Sequence, residues 1–296
     1  LPKKEGYDVK IIDCVLIKDY LKAIEFECKD AFIVGITVNT AQVREAIKIS
    51  DFIKERFNIP IVWGGWHPTL FPEQTCADKA VDFIIIKEGD YAFFELVKAI
   101  ESNSHSHDIK GIVYKKNGLP VRTDCREDLD MDELFQTDYE LLDMKRYVRN
   151  RSGTVAMMYQ SSRGCPYNCQ FCINAVTQNK KYRPKRPGKV LDEIEFLVKN
   201  YSANYIIFID DNTFLDIRRI REICEGLINR KLNIKWYGEC RGDYFRDGFV
   251  DKGFLDLAVK SGLSGLTIGA ESGSDDILKL IKMDQINLKQ LLKNVR

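Results

Sequence analysis

The sequence predicts an α/β chain of two domains, a doubly wound parallel sheet followed by a second strand–helix repeat of the barrel kind. Three observations predict it. Short β-branched runs alternate with helical patterns over residues 9–100, and the same alternation resumes at Thr154. In both stretches glycines, hydroxyls and carboxylates collect where a strand ends. Three cysteines crowd into one of those strand-end loops. Ligand sites in such sheets lie outside the carboxyl ends of the strands, so these loops carry the functional reading.

At 296 residues, with 45% hydrophobic and 30% charged residues, the chain can bury two cores. A formal net charge of +1 gives no electrostatic case for nucleic acid or an acidic membrane surface. No apolar run is long enough to span a bilayer and no signal-peptide pattern is present, so a cytoplasmic location is expected. Leu1–Gly6 reads as a helix end capped by Gly6, and Leu291–Arg296 stops inside a helical pattern. A fragment of a longer chain, truncated at both ends, is therefore expected.

In the first domain, residues 1–102, the expected strands are Val9–Asp13, Phe32–Val38, Ile61–Trp63 and Phe83–Ile86. All are nearly unbroken apolar runs, as strands buried on both faces should be. Ala41–Phe57 and Asp90–Ile100 carry apolar residues at helical spacing. The strand-end loops hold Thr37 and Asn39, then Gly64 and Gly65, then Glu88 and Gly89. Paired glycines let a bulky ligand approach the backbone, although a plain tight turn explains them as well. No G-x-G-x-x-G follows a strand, so the dinucleotide fingerprint is absent.

Residues 103–150 form a connector with a hairpin, Ile109–Tyr114 and Leu119–Thr123, and then an acidic stretch. In the third segment, residues 151–296, strands Thr154–Gln160, Tyr205–Ile209, Ile234–Tyr237 and Gly265–Ile268 alternate with helices 189–201, 216–230 and 248–261. The basic run Lys180–Arg186 reads as a solvated loop, with phosphate or an acidic substrate as its functional alternative.

The first strand of this segment ends at Cys165, Cys169 and Cys172, spaced C-x3-C-x2-C. Three thiolates from one loop hold three corners of an iron–sulfur cluster and leave one iron open to a ligand. A structural zinc site needs four Cys or His ligands, yet all three histidines lie before residue 108 and no second C-x2-C exists. The other six cysteines, Cys14, Cys28, Cys76, Cys125, Cys224 and Cys240, read as small buried hydrophobes.

With Phe171 ahead of the last cysteine, this loop resembles the radical S-adenosylmethionine signature. The first domain is similar to the cobalamin-binding domain found ahead of many such enzymes. The resemblance implies a Rossmann-like cobalamin-binding domain followed by a partial (β/α) barrel radical SAM domain. It implies a 4Fe–4S cluster on Cys165, Cys169 and Cys172, with S-adenosylmethionine chelating the open iron and cleaved to a 5′-deoxyadenosyl radical. Thr37, Asn39, Gly64, Gly65, Glu88 and Gly89 would flank cobalamin. Asp211 would contact the methionyl amine, Arg241 the carboxylate, and Glu271-Ser272 the ribose or methionyl part. Turn aspartates also cap helices, a role open to Asp216. The Asp-x-His-x-x-Gly motif for a lower cobalt ligand is missing, and His67 reads as a loop-packing residue before a cobalt ligand.

The activity so implied is cobalamin-dependent methyl transfer to an unactivated carbon or phosphorus centre of a small molecule, under anaerobic conditions. A low-potential donor, flavodoxin or ferredoxin, would supply the electrons. The alternative within the family is radical cyclisation or rearrangement, as in the anaerobic cyclase of chlorophyll biosynthesis. The alternative outside catalysis is a cobalamin- or metal-binding module.

Overall fold

A computed structural model describes residues 1–104, 106–147, 149–151, 153–177 and 180–282. The expected closing helix at Leu291–Arg296 lies outside the described residues. The chain divides into two units, one of residues 1–129 with 137–142, the other of residues 130–136 with 143 onward. Each unit is built on its own five-stranded sheet.

In the first unit the chain runs through α1 (Tyr20–Glu27), β1 (Val34–Thr37), α2 (Val43–Arg56), β2 (Ile61–Gly64), α3 (Trp66–Leu70) and α4 (Pro72–Cys76). It continues through β3 (Phe83–Ile85), α5 (Ala92–Glu101), β4 (Ile112–Lys116) and β5 (Leu119–Arg122). Strands β1, β2 and β3 are parallel, with Thr37 opposite Gly64 and Val62 opposite Phe83. Their apolar runs serve two cores. Ile61, Trp63 and Ile84 pack with Ala46, Ile49 and Ile53 of α2, while Val62 and Ile85 pack with Ala92, Leu96 and Ala99 of α5. Helices on both faces explain why these strands do not alternate with polar residues. The buried Trp63 indole donates to Ser50 Oγ at 3.0 Å, so its one polar atom is satisfied.

Two expectations change here. Val9–Asp13 is not a strand: it has no ladder partner among the described residues, and Ile11 is 49% exposed while Ile12 leans on the first core. The hairpin expected in the connector instead extends the first sheet, because β4 pairs antiparallel with β3 through Ile84 and Val113. Val113 and Ile112 are fully buried, and that burial draws the hairpin onto the sheet.

In the second unit α6 (Met144–Tyr147) precedes β6 (Arg149–Arg151), β7 (Thr154–Tyr159), β8 (Ser162–Arg163), α7 (Asn174–Thr177) and β9 (Arg183–Pro184). Then α8 (Pro187–Tyr201), β10 (Tyr205–Phe208), α9 (Ile217–Asn229), β11 (Lys235–Arg241), α10 (Lys252–Lys260), β12 (Leu263–Gly269) and α11 (Asp275–Lys282) follow. The strand order is β12–β11–β10–β7–β6, parallel except for β6 at the edge. This one-directional βα progression is the partial barrel.

Phe208, Phe214, Trp236 and Phe254 fill the helix-covered side, with Phe214 and Trp236 stacked at 6.1 Å. Gly226 of α9 lets α8 come close, since a Cβ there would overlap Leu191. Asp216 caps α9 by accepting the Arg218 and Arg219 N–H groups, both at 3.1 Å. Helix α10 starts at Lys252 rather than Gly248, because Asp251 caps it through Phe254 N–H. Strand β11 runs on to Arg241, four residues beyond the expected Tyr237, and so carries Arg241 to the sheet's end. Among the described residues no helix is long and apolar enough to cross a membrane.

Candidate active site

In the first unit, the three expected loops meet at the carboxyl ends of β1, β2 and β3. Val38 N–H donates to Gly64 O at 2.8 Å, and His67 N–H donates to Val38 O at 3.1 Å. Thr69 is the tie that sequence reading missed. Its hydroxyl donates to Gly65 O at 2.8 Å and accepts Lys87 N–H at 2.9 Å, joining the glycine loop to the Glu88-Gly89 turn. Glu88 accepts Leu129 N–H at 3.2 Å. Asn39 forms a capping box with Gln42, the two side chains exchanging bonds with each other's backbone at 3.2 and 3.0 Å. His67 Nδ1 lies 3.3 Å from Thr40 Oγ1, and burial lowers its pKa.

The two glycines differ. Gly65 has φ 96°, and a Cβ there would sit 3.0 Å from Val38 O, so the fold itself requires glycine. A Cβ on Gly64 would meet only Ile85, at 3.8 Å, in ordinary contact. Among the described residues nothing demands glycine at 64, and Thr37 beside it is exposed.

In the second unit, β7 and β10 end side by side, and the turn after β10 builds the cysteine loop. Asp210, 2% exposed, accepts Ser161 N–H at 2.6 Å, Ser162 N–H at 3.0 Å and the Ser161 hydroxyl at 2.5 Å. Burial pushes its carboxyl pKa up against those bonds. Arg219 anchors the same segment, donating to Ser161 O at 2.9 Å and Lys185 O at 2.7 Å. Asp211 accepts Gly164 N–H at 2.6 Å and the Asn174 amide at 2.7 Å, clamping the loop on both sides of the cysteines.

Cys165, Cys169 and Cys172 are each partly buried, and Cys172 N–H donates to Cys169 O at 3.0 Å. Two of the sulfurs have a side-chain N–H group beside them. Asn212 Nδ2 lies 3.7 Å from Cys165 Sγ and 2.8 Å from Tyr244 Oη. Arg241 Nη1 lies 3.9 Å from Cys169 Sγ, while its Nε and Nη2 bind Asp243 at 2.9 and 3.0 Å. The guanidinium sits 3.6 Å above the Tyr167 ring. Gln170 N–H reaches Ile281 O at 3.0 Å, tying the loop to α11. Thiolates carry negative charge and accept hydrogen bonds, so a cation and amide donors beside them fit an iron–sulfur cluster. Among the described residues no three or more His, Cys, Asp or Glu side chains are placed together to hold a single metal ion.

Glu271 stands at the end of β12 with φ 62°, and its Oε1 lies 3.4 Å from Lys282 Nζ. Lys282 is 4% exposed and also donates to Gly269 O at 2.9 Å. Ser272 Oγ accepts Ser274 N–H at 3.1 Å. Asn174, Asn212, Asp243 and Lys282 were not singled out from sequence; only Asn212 carried a signal, by adjoining Asp211 in a strand-end turn.

The basic run is solvated only in part: Lys180, Lys181 and Arg186 are exposed as expected, whereas the residues between them turn inward. Arg183 and Lys185 are each 9% exposed, and Lys185 bonds Glu193 at 2.5 Å, with Tyr159 Oη donating to the same carboxylate at 2.6 Å. The run's end borders a cavity of about 850 Å³ with Arg218, Arg219 and Phe249. Of the scattered cysteines, Cys28, Cys76, Cys224 and Cys240 are buried as expected. Burial pushes the Cys76 and Cys224 thiols up to about 11 and that of Cys240 up to about 12, which leaves them inert. Cys14 is half-buried and Cys125 is exposed, contrary to expectation, because Cys125 follows the hairpin on open backbone.

Known proteins agree with this layout. Residues 159–296 match the family model of the radical SAM superfamily, and residues 1–97 match that of the B12 binding domain. An uncharacterized methyltransferase of Pyrococcus horikoshii is 32% identical, over 94% of this chain and 60% of its own length. An anaerobic magnesium-protoporphyrin IX monomethyl ester cyclase of Synechocystis is 26% identical, over 94% of this chain and 56% of its own. The radical S-adenosylmethionine methyltransferase TsrM of Kitasatospora setae, solved with cobalamin and a [4Fe-4S] cluster, superposes with a TM-score of 0.79. That match covers 99% of this chain and 60% of TsrM at 17% identity, and it establishes the fold. The chain thus spans about 60% of the length of these relatives.

Proposed function

Because the chain belongs to the radical SAM superfamily, in the branch that carries a B12 binding domain ahead of the radical SAM domain, we propose that it serves a cobalamin-dependent methyl transfer to an unactivated carbon or phosphorus centre of a small molecule. Its cofactors are a 4Fe–4S cluster, S-adenosylmethionine and cobalamin. The observation that carries the reading is the cysteine loop itself. It sits at the carboxyl end of a parallel strand, is clamped by Asp211, and has N–H donors on two of its sulfurs.

In this reading Cys165, Cys169 and Cys172 ligate the cluster. When bound there, the cluster with S-adenosylmethionine supplies one-electron reductive cleavage of the sulfonium. The chain's own residues hold the loop and shield it. Asp210, Asp211 and Arg219 fix its backbone, and Arg241 with Tyr167 covers one side. Glu271 and Ser272 close the fourth strand end, where an acceptor can meet the ribose hydroxyls or the methionyl ammonium. Thr37, Gly64, Gly65 and the Glu88-Gly89 turn form the strand-end cradle for cobalamin, with Asn39 shaping its first loop. A flavodoxin or ferredoxin is the electron donor, and the cytoplasm suits a chain whose cysteines, all nine, are unpaired.

The test is anaerobic. Reconstituted protein with a low-potential reductant should release 5′-deoxyadenosine, and Cys169→Ala should release none; full cleavage by that variant would refute the assignment. Cyclisation is the second reading, favoured by the cyclase relative. Methyl transfer yields S-adenosylhomocysteine beside 5′-deoxyadenosine, whereas cyclisation need not.

A further inference from the structure

We infer that Asn212 and Arg241 tune the cluster through its sulfurs, donating N–H···S bonds to Cys165 and Cys169 that raise its reduction potential. The inference rests on the cluster assignment proposed above and adds to it a role for two side chains that are not ligands.

The amide of Asn212 is committed. It is 4% exposed, with Nδ2 turned to Cys165 Sγ at 3.7 Å and to Tyr244 Oη at 2.8 Å. Its Oδ1 is left buried without a partner among the described residues. A buried carbonyl oxygen left unpaired is costly, so an orientation that spends both N–H groups on sulfur and phenol needs a reason. A thiolate gives that reason: it carries no hydrogen and accepts only.

Arg241 is committed in another way. Asp243 takes Nε and Nη2 in a fork, and Tyr167, between the first two cysteines, lies flat under the guanidinium at 3.6 Å. Side-chain exposures of 11% for Arg241 and 17% for Asp243 place the pair out of bulk water. With two corners pinned, the remaining Nη1 is held toward Cys169 Sγ, 3.9 Å away. Hydrogen bonds to cluster sulfurs and nearby positive charge both favour the more negative, reduced cluster. The redox step concerned is uptake of one electron by the cluster, supplied in the test by the titrant, with no bond made or broken.

The test is an EPR-monitored redox titration of anaerobically reconstituted protein. Asn212→Leu and Arg241→Gln should each titrate at lower potential. A tenfold fall in the one-electron equilibrium corresponds to a shift of about 59 mV. Arg241→Lys should fall between wild type and Arg241→Gln, since it keeps the charge and loses the fork. Variants with full iron and sulfide that titrate at the wild-type potential overturn the inference. If Arg241 served the carboxylate of S-adenosylmethionine instead, Arg241→Gln would weaken its binding at unchanged potential, which also overturns it. Should a variant fail to hold its cluster, wild-type protein grown with nitrogen-15 arginine or asparagine decides the matter. Pulsed EPR of the reduced cluster should show a nitrogen-15 coupling for each label, and its absence overturns the inference. Wild-type protein that binds no iron and sulfide at all would instead refute the cluster assignment.

Discussion

The Asp211 carboxylate accepts the backbone N–H of Gly164 at 2.6 Å, so the end of β10 holds the entry to the cysteine segment that follows β7. Its other oxygen takes the Asn174 amide at 2.7 Å, just past the last cysteine. One side chain thus fixes both flanks of a loop that has little secondary structure of its own. Hydrogen bonds to a charged acceptor contribute about 1.5–3 kcal/mol each.

Asp211→Ala should therefore lower the thermal midpoint by several degrees and reduce the iron and sulfide retained after reconstitution. Asp211→Asn should retain the cluster, because the Asn174 Oδ1, buried and without a partner among the described residues, can flip to accept the new amide. Full cluster retention by Asp211→Ala would show that the clamp is dispensable. If the Asp211 charge also meets the methionyl ammonium, Asp211→Asn will keep its cluster and bind S-adenosylmethionine more weakly.

Asp210 gives a pH dependence with a definite sign. Burial raises its folded pKa above the ordinary carboxylate value of about 3.9, so the folded state holds the proton more tightly than the unfolded chain does. Its contribution to stability falls as pH rises from that ordinary value through the raised one, then stays level. The slope is at most about 1.4 kcal/mol per pH unit. Asp210→Asn removes the titration and keeps acceptors for the Ser161 and Ser162 N–H groups. Urea melts of both proteins across the acid range should differ by an amount that changes with pH in that window only. A constant difference would mean that Asp210 does not titrate as its burial demands.

Glu271 and Lys282 should behave as a coupled pair. Lys282 Nζ is buried between Gly269 O and the Glu271 carboxylate, and Glu271 keeps a side-chain exposure of 31% that screens the pair. Removing the carboxylate strands a buried ammonium. Glu271→Ala should cost about 1–3 kcal/mol, less than a fully buried pair would. Glu271→Ala combined with Lys282→Met should recover part of that loss. A double-mutant cycle showing additive effects would place Lys282 outside the influence of Glu271.

How far the sequence could be read depended on whether a feature was local. The three-residue and two-residue spacings around Cys165, Cys169 and Cys172 are local and carried the chemistry outright. The continuous apolar runs at Ile61–Trp63 and Tyr205–Ile209 were legible because each marks a strand with a parallel neighbour on both sides. Asn174 was not legible as a site residue, and Asn212 showed only as the neighbour of Asp211 in a strand-end turn. Their significance lies in a partner about forty residues away, Asp211 for one and Cys165 for the other, and side-chain pairing across a sheet leaves no periodic trace. The hairpin at β4 and β5 was recognised as a hairpin yet placed outside the first sheet, since turn chemistry names the turn and only Val113 packing against Ile84 names the neighbour. Val9–Asp13 failed for the converse reason: β-branched residues without a ladder partner are not a strand.

The glycine pair after β2 separates fold from ligand by experiment. Gly65 adopts φ 96° with its missing Cβ 3.0 Å from Val38 O, so Gly65→Ala should destabilise the first unit by about 1–3 kcal/mol. Gly64 has no such constraint, and a methyl there would touch only Ile85 at 3.8 Å. Gly64→Ala should therefore melt like wild type. If that strand end receives cobalamin, the same methyl intrudes where the ligand meets the backbone, and a bulkier Gly64→Val should intrude further. Cobalamin affinity, followed by the corrinoid absorbance retained after gel filtration, should fall from wild type to Gly64→Ala to Gly64→Val with the thermal midpoint of Gly64→Ala unchanged. Unchanged corrinoid retention in both Gly64 variants would move the cobalamin site away from the carboxyl end of β2.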